Sequence, residues 1–139
     1  LIPLCDVFLP GDEEAEFLAG VMSEEAYGAR FLAMGPKVVV IKLGEKGSIG
    51  FTGDKVVRAK PYTVKRVVDT VGAGDAFAAG LLSGLVEFGP LEDGDNLARA
   101  LERANHMGAI ATQFKGDWEG LPKREELLRL IAGGKEVTR

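Results

Sequence analysis

A carboxylate set inside a turn of small residues is the most chemically suggestive feature of the sequence. It lies in Asp69-Thr70-Val71-Gly72-Ala73-Gly74-Asp75-Ala76-Phe77-Ala78-Ala79-Gly80. Upstream, Val64-Lys65-Arg66-Val67-Val68 reads as a strand, and downstream Phe77, Leu81, Leu85 and Phe88 recur at helical spacing. A turn made of Gly72, Ala73 and Gly74 leaves the first N–H groups of the following helix unpaired and unobstructed. The aligned peptide dipoles favour negative charge there, and phosphate is the usual occupant. Asp75 stands in this anion site and has two readings. One is an N-cap, a position that Asp favours. The other is an acid beside a bound phosphate, placed to accept a proton or to face a cation. In phosphoryl transfer through a loose transition state the acceptor hydroxyl can lose its proton late, so a weak carboxylate base is sufficient.

From Asp69 to Leu82 without a break, the chain resembles the second signature of the ribokinase-like (PfkB) carbohydrate kinases, Asp-Thr-x-Gly-Ala-Gly-Asp followed by an aromatic and small residues. The resemblance implies that Asp75 is the catalytic base and that the backbone of Gly72, Ala73 and Gly74 forms the anion hole. It also implies ATP and Mg2+ as cofactors, with a small-molecule sugar or sugar acid as the acceptor. A dinucleotide-binding reading of Gly72-Ala73-Gly74 fails, because no glycine follows three positions after Gly74 and bulky Phe77 stands there. A Walker A loop is absent from the chain.

Other positions acquire roles from the same resemblance. Family members carry Pro-Asn-x-x-Glu where this chain has Pro10-Gly11-Asp12-Glu13-Glu14. Glu14 is then expected near the magnesium, through water, while Gly11 replaces the family asparagine. Without the family, Glu14 is an acidic first-turn residue that suits the positive end of a helix. Lys42, Gly44 and Gly47 match nucleotide-binding positions, although Lys42-Leu43-Gly44-Glu45-Lys46-Gly47-Ser48 also reads as a plain hairpin turn. Asn105 matches a position near the adenine ring. Asp69, with the carbonyls of Val71, Ala111, Phe114 and Gly116, matches a site for a monovalent cation such as K+, for which an oxygen-only shell is chemically right. Lys115-Gly116-Asp117-Trp118-Glu119-Gly120-Leu121-Pro122, together with Cys5-Asp6-Val7 and Glu13-Glu14-Ala15-Glu16, looks most like the 2-keto-3-deoxygluconate kinase branch of the family.

The elements that must position these residues can be read in order. A short strand at Asp6 to Leu9 is ended by Pro10, and a helix runs from Asp12 to Leu18. A second helix opens at Ser23, with Ala26, Ala29 or Arg30, and Ala33 marking its faces, and Gly35-Pro36 stops it. Val38-Val39-Val40-Ile41 has the continuous apolar character of a strand covered on both faces. Ser48 to Thr52 and Lys55 to Lys60 read as an antiparallel edge. The helix from Gly74 has an apolar ridge and a row of small residues, so it is expected to be central and to bury Asp75. In the amphipathic helix Asn96 to Ala111, Leu97, Leu101, Ala104, Met107, Gly108 and Ala111 face inward, with Arg99, Glu102, Arg103 and His106 outward. A last helix covers Pro122 to Ile131. Strands alternating with helices predict an α/β fold. With the resemblance, this becomes a three-layer α/β/α ribokinase-like domain whose sheet is mainly parallel with a short antiparallel edge.

Composition sets bounds on function. The 139 residues are 46% hydrophobic and 27% charged, with a net charge of −4. These values fit one globular domain and argue against a nucleic-acid or membrane-surface partner, which would want a basic face. The single Cys5 excludes an internal disulfide and points to a reducing compartment. His106, the only histidine, is expected at the surface, with no Cys or His partner for a metal site. No signal peptide or membrane-length apolar run is visible, so the cytoplasm is the expected location. The chain has no initiator Met and shows neither the sugar-binding glycine signature nor the lid of the resembled family. Residues 1–139 are therefore expected to be the C-terminal, nucleotide-binding portion of a longer kinase, with the full-length protein a homo-oligomer.

Overall fold

The computed structural model describes residues 1–133. In chain order these form β1 (Val7–Phe8), α1 (Asp12–Ala19), α2 (Glu24–Leu32), β2 (Val38–Lys42), β3 (Ser48–Phe51), β4 (Val56–Ala59), α3 (Ala73–Phe88), α4 (Gly94–Ala111) and α5 (Arg124–Ile131). The four strands make one sheet in the order β1-β2-β3-β4. β1 runs parallel to β2, with Val7 opposite Val38. β2 pairs antiparallel with β3, and β3 antiparallel with β4.

β2 shows why the fold has three layers. Its successive side chains point to opposite faces, and both faces are covered. Val38 and Val40 join Phe77, Leu81, Leu97 and Leu101 of α3 and α4. Val39 and Ile41 join Ala15, Tyr27 and Phe31 of α1 and α2. The expected α/β/α layering follows. Among the described residues the antiparallel edge is the larger part of the sheet, because a parallel neighbour needs a crossover. Only the β1–β2 connection, through α1 and α2, supplies one here, whereas β2, β3 and β4 are joined by short turns.

Three expectations need correction. Val64 to Val68 is not a strand but an irregular segment with a bend at Lys65, outside the sheet, with Val67 and Val68 exposed. β-branched residues favour a strand by packing on a half-buried surface, and this segment has none. The inward face of α2 is Tyr27, Gly28 and Phe31 rather than its alanines. Gly28 is the point where the Phe51 ring packs, 2.4 Å from where a Cβ would stand. Arg103 points inward and is only 4% exposed. Its guanidinium lies over the Phe88 ring and donates to Glu87 at 3.0 Å. Its long apolar stem lets the charge cross the seam between α3 and α4 to reach that carboxylate.

α3 is central, as its small residues imply. A Cβ added at Gly80 would lie 2.8 Å from the Ala104 backbone, and one at Gly84 2.8 Å from the Ala100 backbone. These close approaches lock α3 against α4 and so fix where the first turn of α3 opens.

Candidate active site

The site is built around the start of α3. Gly72 is its N-cap, in the left-handed conformation with φ 76°, and offers no side chain to the helix. The Ala73 N–H donates to Thr70 O at 3.3 Å, and Ala76 N–H closes the first helical bond to Gly72 O at 2.8 Å. Gly74 and Asp75 therefore keep first-turn N–H groups that the helix itself cannot satisfy. Since Gly72 is the cap, the capping reading of Asp75 falls. Asp75 lies in the first turn and is exposed, contrary to the expectation that the core would bury it. Burial begins one residue later, where Ala76 joins Met107 and Phe77 joins Leu97 and Leu101.

The end of β2 and the start of α1 meet this turn. Lys42 N–H donates to Pro10 O at 2.9 Å, and Gly11 forms a parallel bridge with Lys42. Glu14 accepts from the Gly11 N–H at 2.6 Å, half of a capping box, and the same oxygen is 3.9 Å from the Lys42 ammonium. That ammonium is 3.6 Å from the point where a Cβ on Gly74 would stand. Glu14, Lys42 and the Gly72-Ala73-Gly74 turn are thus brought together.

Gly44 and Gly47 shape the neighbouring wall, both at positive φ. A side chain at Gly47 would meet Ala59 O at 2.2 Å, so this turn lies directly against the end of β4. Asn105 is buried and donates to Ala59 O at 3.3 Å and Lys60 O at 2.9 Å. Its amide holds the end of β4 to α4. His106 is partly exposed and stacks on Tyr62 with ring centroids 4.2 Å apart. Among the described residues no three His, Cys, Asp or Glu side chains cluster as a metal cage.

Asp69 ties the signature to the loop after α4. One carboxylate oxygen accepts from Val71 N–H at 3.1 Å and the other from Gly116 N–H at 3.4 Å. Those two backbone bonds, the Val71 one foremost, hold its pKa below the ordinary 3.8, with the Lys115 charge adding to the effect. A lowered folded pKa gives stability that is present above the ordinary value and is lost as pH falls through the folded one. Wild-type protein should therefore lose melting temperature below about pH 4 more steeply than Asp69→Asn. Superimposable profiles for the two proteins between pH 6 and 3 would contradict this clamp.

Two partners in this loop carry no sequence signal, because they act through backbone carbonyls. Thr112 O accepts from the N–H groups of Val68 and Asp69, and Asp117 O packs on Gly72. Asp69, Val71, Ala111, Phe114 and Gly116 consequently lie on two touching segments. A groove of about 480 Å³ beside Glu14, lined by Phe8, Leu9, Pro10, Glu13, Phe17 and Leu18, also escaped the sequence reading.

The family described as pfkB family carbohydrate kinase matches residues 1–124. The chain belongs to this family. It is 39% identical over 137 residues to the 2-dehydro-3-deoxygluconokinase of Bacillus subtilis (strain 168), covering 99% of this chain and 40% of that protein. The structure of fructokinase from Vibrio cholerae O395, with fructose, ADP and calcium ion bound, superposes with a TM-score of 0.80 at 33% identity, covering 88% of this chain and 40% of the other. Aminoimidazole riboside kinase from Salmonella enterica, complexed with aminoimidazole riboside and an ATP analog, gives 0.83 at 30% identity, covering 94% and 43%. The chain spans about two fifths of the length of these pfkB relatives. No helix among its described residues is long and apolar enough to cross a membrane.

Proposed function

We propose that this pfkB chain is the C-terminal, nucleotide-binding portion of a sugar kinase. The complete protein would transfer the γ-phosphoryl group of ATP to a hydroxyl of a sugar acid, 2-keto-3-deoxygluconate. The observation that carries the reading is the exposed Asp75 carboxylate in the first turn of α3, beside N–H groups that Gly72 leaves uncapped, with the Lys42 ammonium at the same turn. The N–H groups of Gly74 and Asp75 would receive the phosphoryl oxygens in the field of the helix dipole. Asp75 would take the acceptor hydroxyl's proton, and Lys42 would meet phosphate charge along the wall formed by Gly44 and Gly47. The 39% identity to a 2-dehydro-3-deoxygluconokinase favours the sugar acid over fructose or ribose.

The donor set fits Mg2+ that arrives with the nucleotide. That ion keeps several waters and takes one or two carboxylates beside substrate phosphates, and Glu14 is an exposed carboxylate at the site. When bound, Mg2+ would offset charge on the phosphates. Asp69 and the carbonyls of Val71, Ala111, Phe114 and Gly116 form the proposed K+ site, on the two segments that Asp69 joins. Asn105 would act near the adenine indirectly, by fixing the end of β4. The rest of the protein would supply most of the sugar pocket. We place this kinase in the cytoplasm, as a homo-oligomer without nucleic-acid partners.

The test is ATP-dependent phosphorylation by the complete protein, with 2-keto-3-deoxygluconate, fructose and ribose compared as acceptors. The sugar acid should give the highest kcat/KM. A higher value for fructose or ribose would overturn the substrate, and no phosphorylation of any of them would overturn the kinase reading.

A further inference from the structure

The Lys42 ammonium stands where the start of α1, the end of β2 and the start of α3 converge, and its two neighbours make opposite demands on it. Glu14 lies 3.9 Å away and draws the ammonium toward α1. The open turn at Gly74, 3.6 Å from the ammonium at the place of a missing Cβ, offers it to any anion on the first N–H groups of α3. The two ends of the ion pair differ in freedom. Glu14 is pinned by the 2.6 Å bond from Gly11 N–H, whereas the lysine stem can swing. At that separation, with side-chain exposures of 28% for Lys42 and 65% for Glu14, the pair is loose enough to exchange.

We propose that Glu14 and Lys42 form an exchangeable pair that makes the site select metal-bound over metal-free nucleotide. The inference rests on the nucleotide reading above and adds to it a source of selectivity. A free nucleotide phosphate meets an ammonium already engaged by Glu14, and also meets the repulsion of the Glu14 carboxylate itself. A phosphate that carries a divalent cation would reverse the second effect, because the positive charge it brings would attract the Glu14 carboxylate. Glu14 then has a new counter-charge, and the Lys42 ammonium is released toward the phosphate. The sign of Glu14's contribution depends on whether the nucleotide brings a cation. Like charges a few ångströms apart in a wet site interact strongly enough to set a several-fold preference.

Binding of ADP to the complete protein, measured by calorimetry with Mg2+ and again with a chelator, tests the pair without reference to turnover. Glu14→Gln retains an acceptor for the Gly11 N–H, so the start of α1 is kept. It should bind metal-free ADP about 3- to 10-fold tighter than wild type without tightening the Mg2+ complex, so the preference for the metal-bound form shrinks. In a Lys42→Met background the same change should give a smaller gain, because no ammonium remains to be released. Unchanged or weaker metal-free binding by Glu14→Gln, or a change only in its melting temperature, would overturn the exchange while leaving the nucleotide site standing. Failure of wild type to bind ADP even with Mg2+ would overturn the nucleotide site and the exchange together.

Discussion

Asp75→Asn in the complete protein should leave melting temperature and ADP affinity close to wild type and lower kcat by about 10²- to 10⁴-fold. The substitution keeps the shape of the side chain and removes its ability to accept a proton. The cap of α3 is Gly72, so no capping bond is lost with the carboxylate. No described residue supplies Asp75 with a side-chain hydrogen bond or ion pair, so its charge has no structural partner to abandon. What remains for a structural role is the favourable contact of an acidic group with the positive end of the helix, worth about 0.3–1 kcal/mol. A base role moves kcat, whereas a dipole role moves only stability and by little. Both quantities are to be measured on one preparation, and a variant with near-normal turnover would sink the assignment of Asp75 as base.

How much of this was legible in the sequence depends on what each residue acts through. The Asp69–Gly80 stretch could be read because a run of small residues before an apolar helical period has few uses. The layering could be read from Val38 to Ile41, whose unbroken apolar run demands cover on both faces. Arg103 was misplaced because helical spacing assigns charge to the outer face, and its carboxylate, Glu87, sits on a different helix. Val64 to Val68 misled for a related reason, since strand propensity reports fit to a half-buried surface and no such surface lies there. The roles of Thr112 and Asp117 at the signature could not be read at all. Each contributes a backbone carbonyl, and any residue carries one. For Asn105 the family resemblance implies a place near the adenine, whereas its two backbone bonds to the end of β4 appear only once α4 and β4 are packed together.

Gly72→Ala should be among the most destabilising changes at the site, for two independent reasons. The residue has φ 76°, where a Cβ meets its own backbone at a cost of about 1–2 kcal/mol. The added Cβ would also stand 2.4 Å from Asp117 O and 2.7 Å from an Asp117 side-chain oxygen. A backbone oxygen cannot swing aside as a flexible side chain does, so the 112–117 loop must retreat, a forced displacement of the kind that costs about 1–3 kcal/mol. That loop carries the Gly116 N–H held by Asp69, and its retreat loosens the clamp that orients the signature. Stability should fall by about 2–5 kcal/mol in total, and ADP affinity should fall with it, because the same residue caps the anion turn. Gly44→Ala is the control that separates the two causes. Gly44 has φ 56° with nothing within 4 Å of the added Cβ, so it carries the conformational cost alone. Denaturant unfolding of both variants should place Gly72→Ala clearly below Gly44→Ala. Equal losses would mean that backbone conformation, and not the approach of Asp117, is what requires glycine at the head of α3.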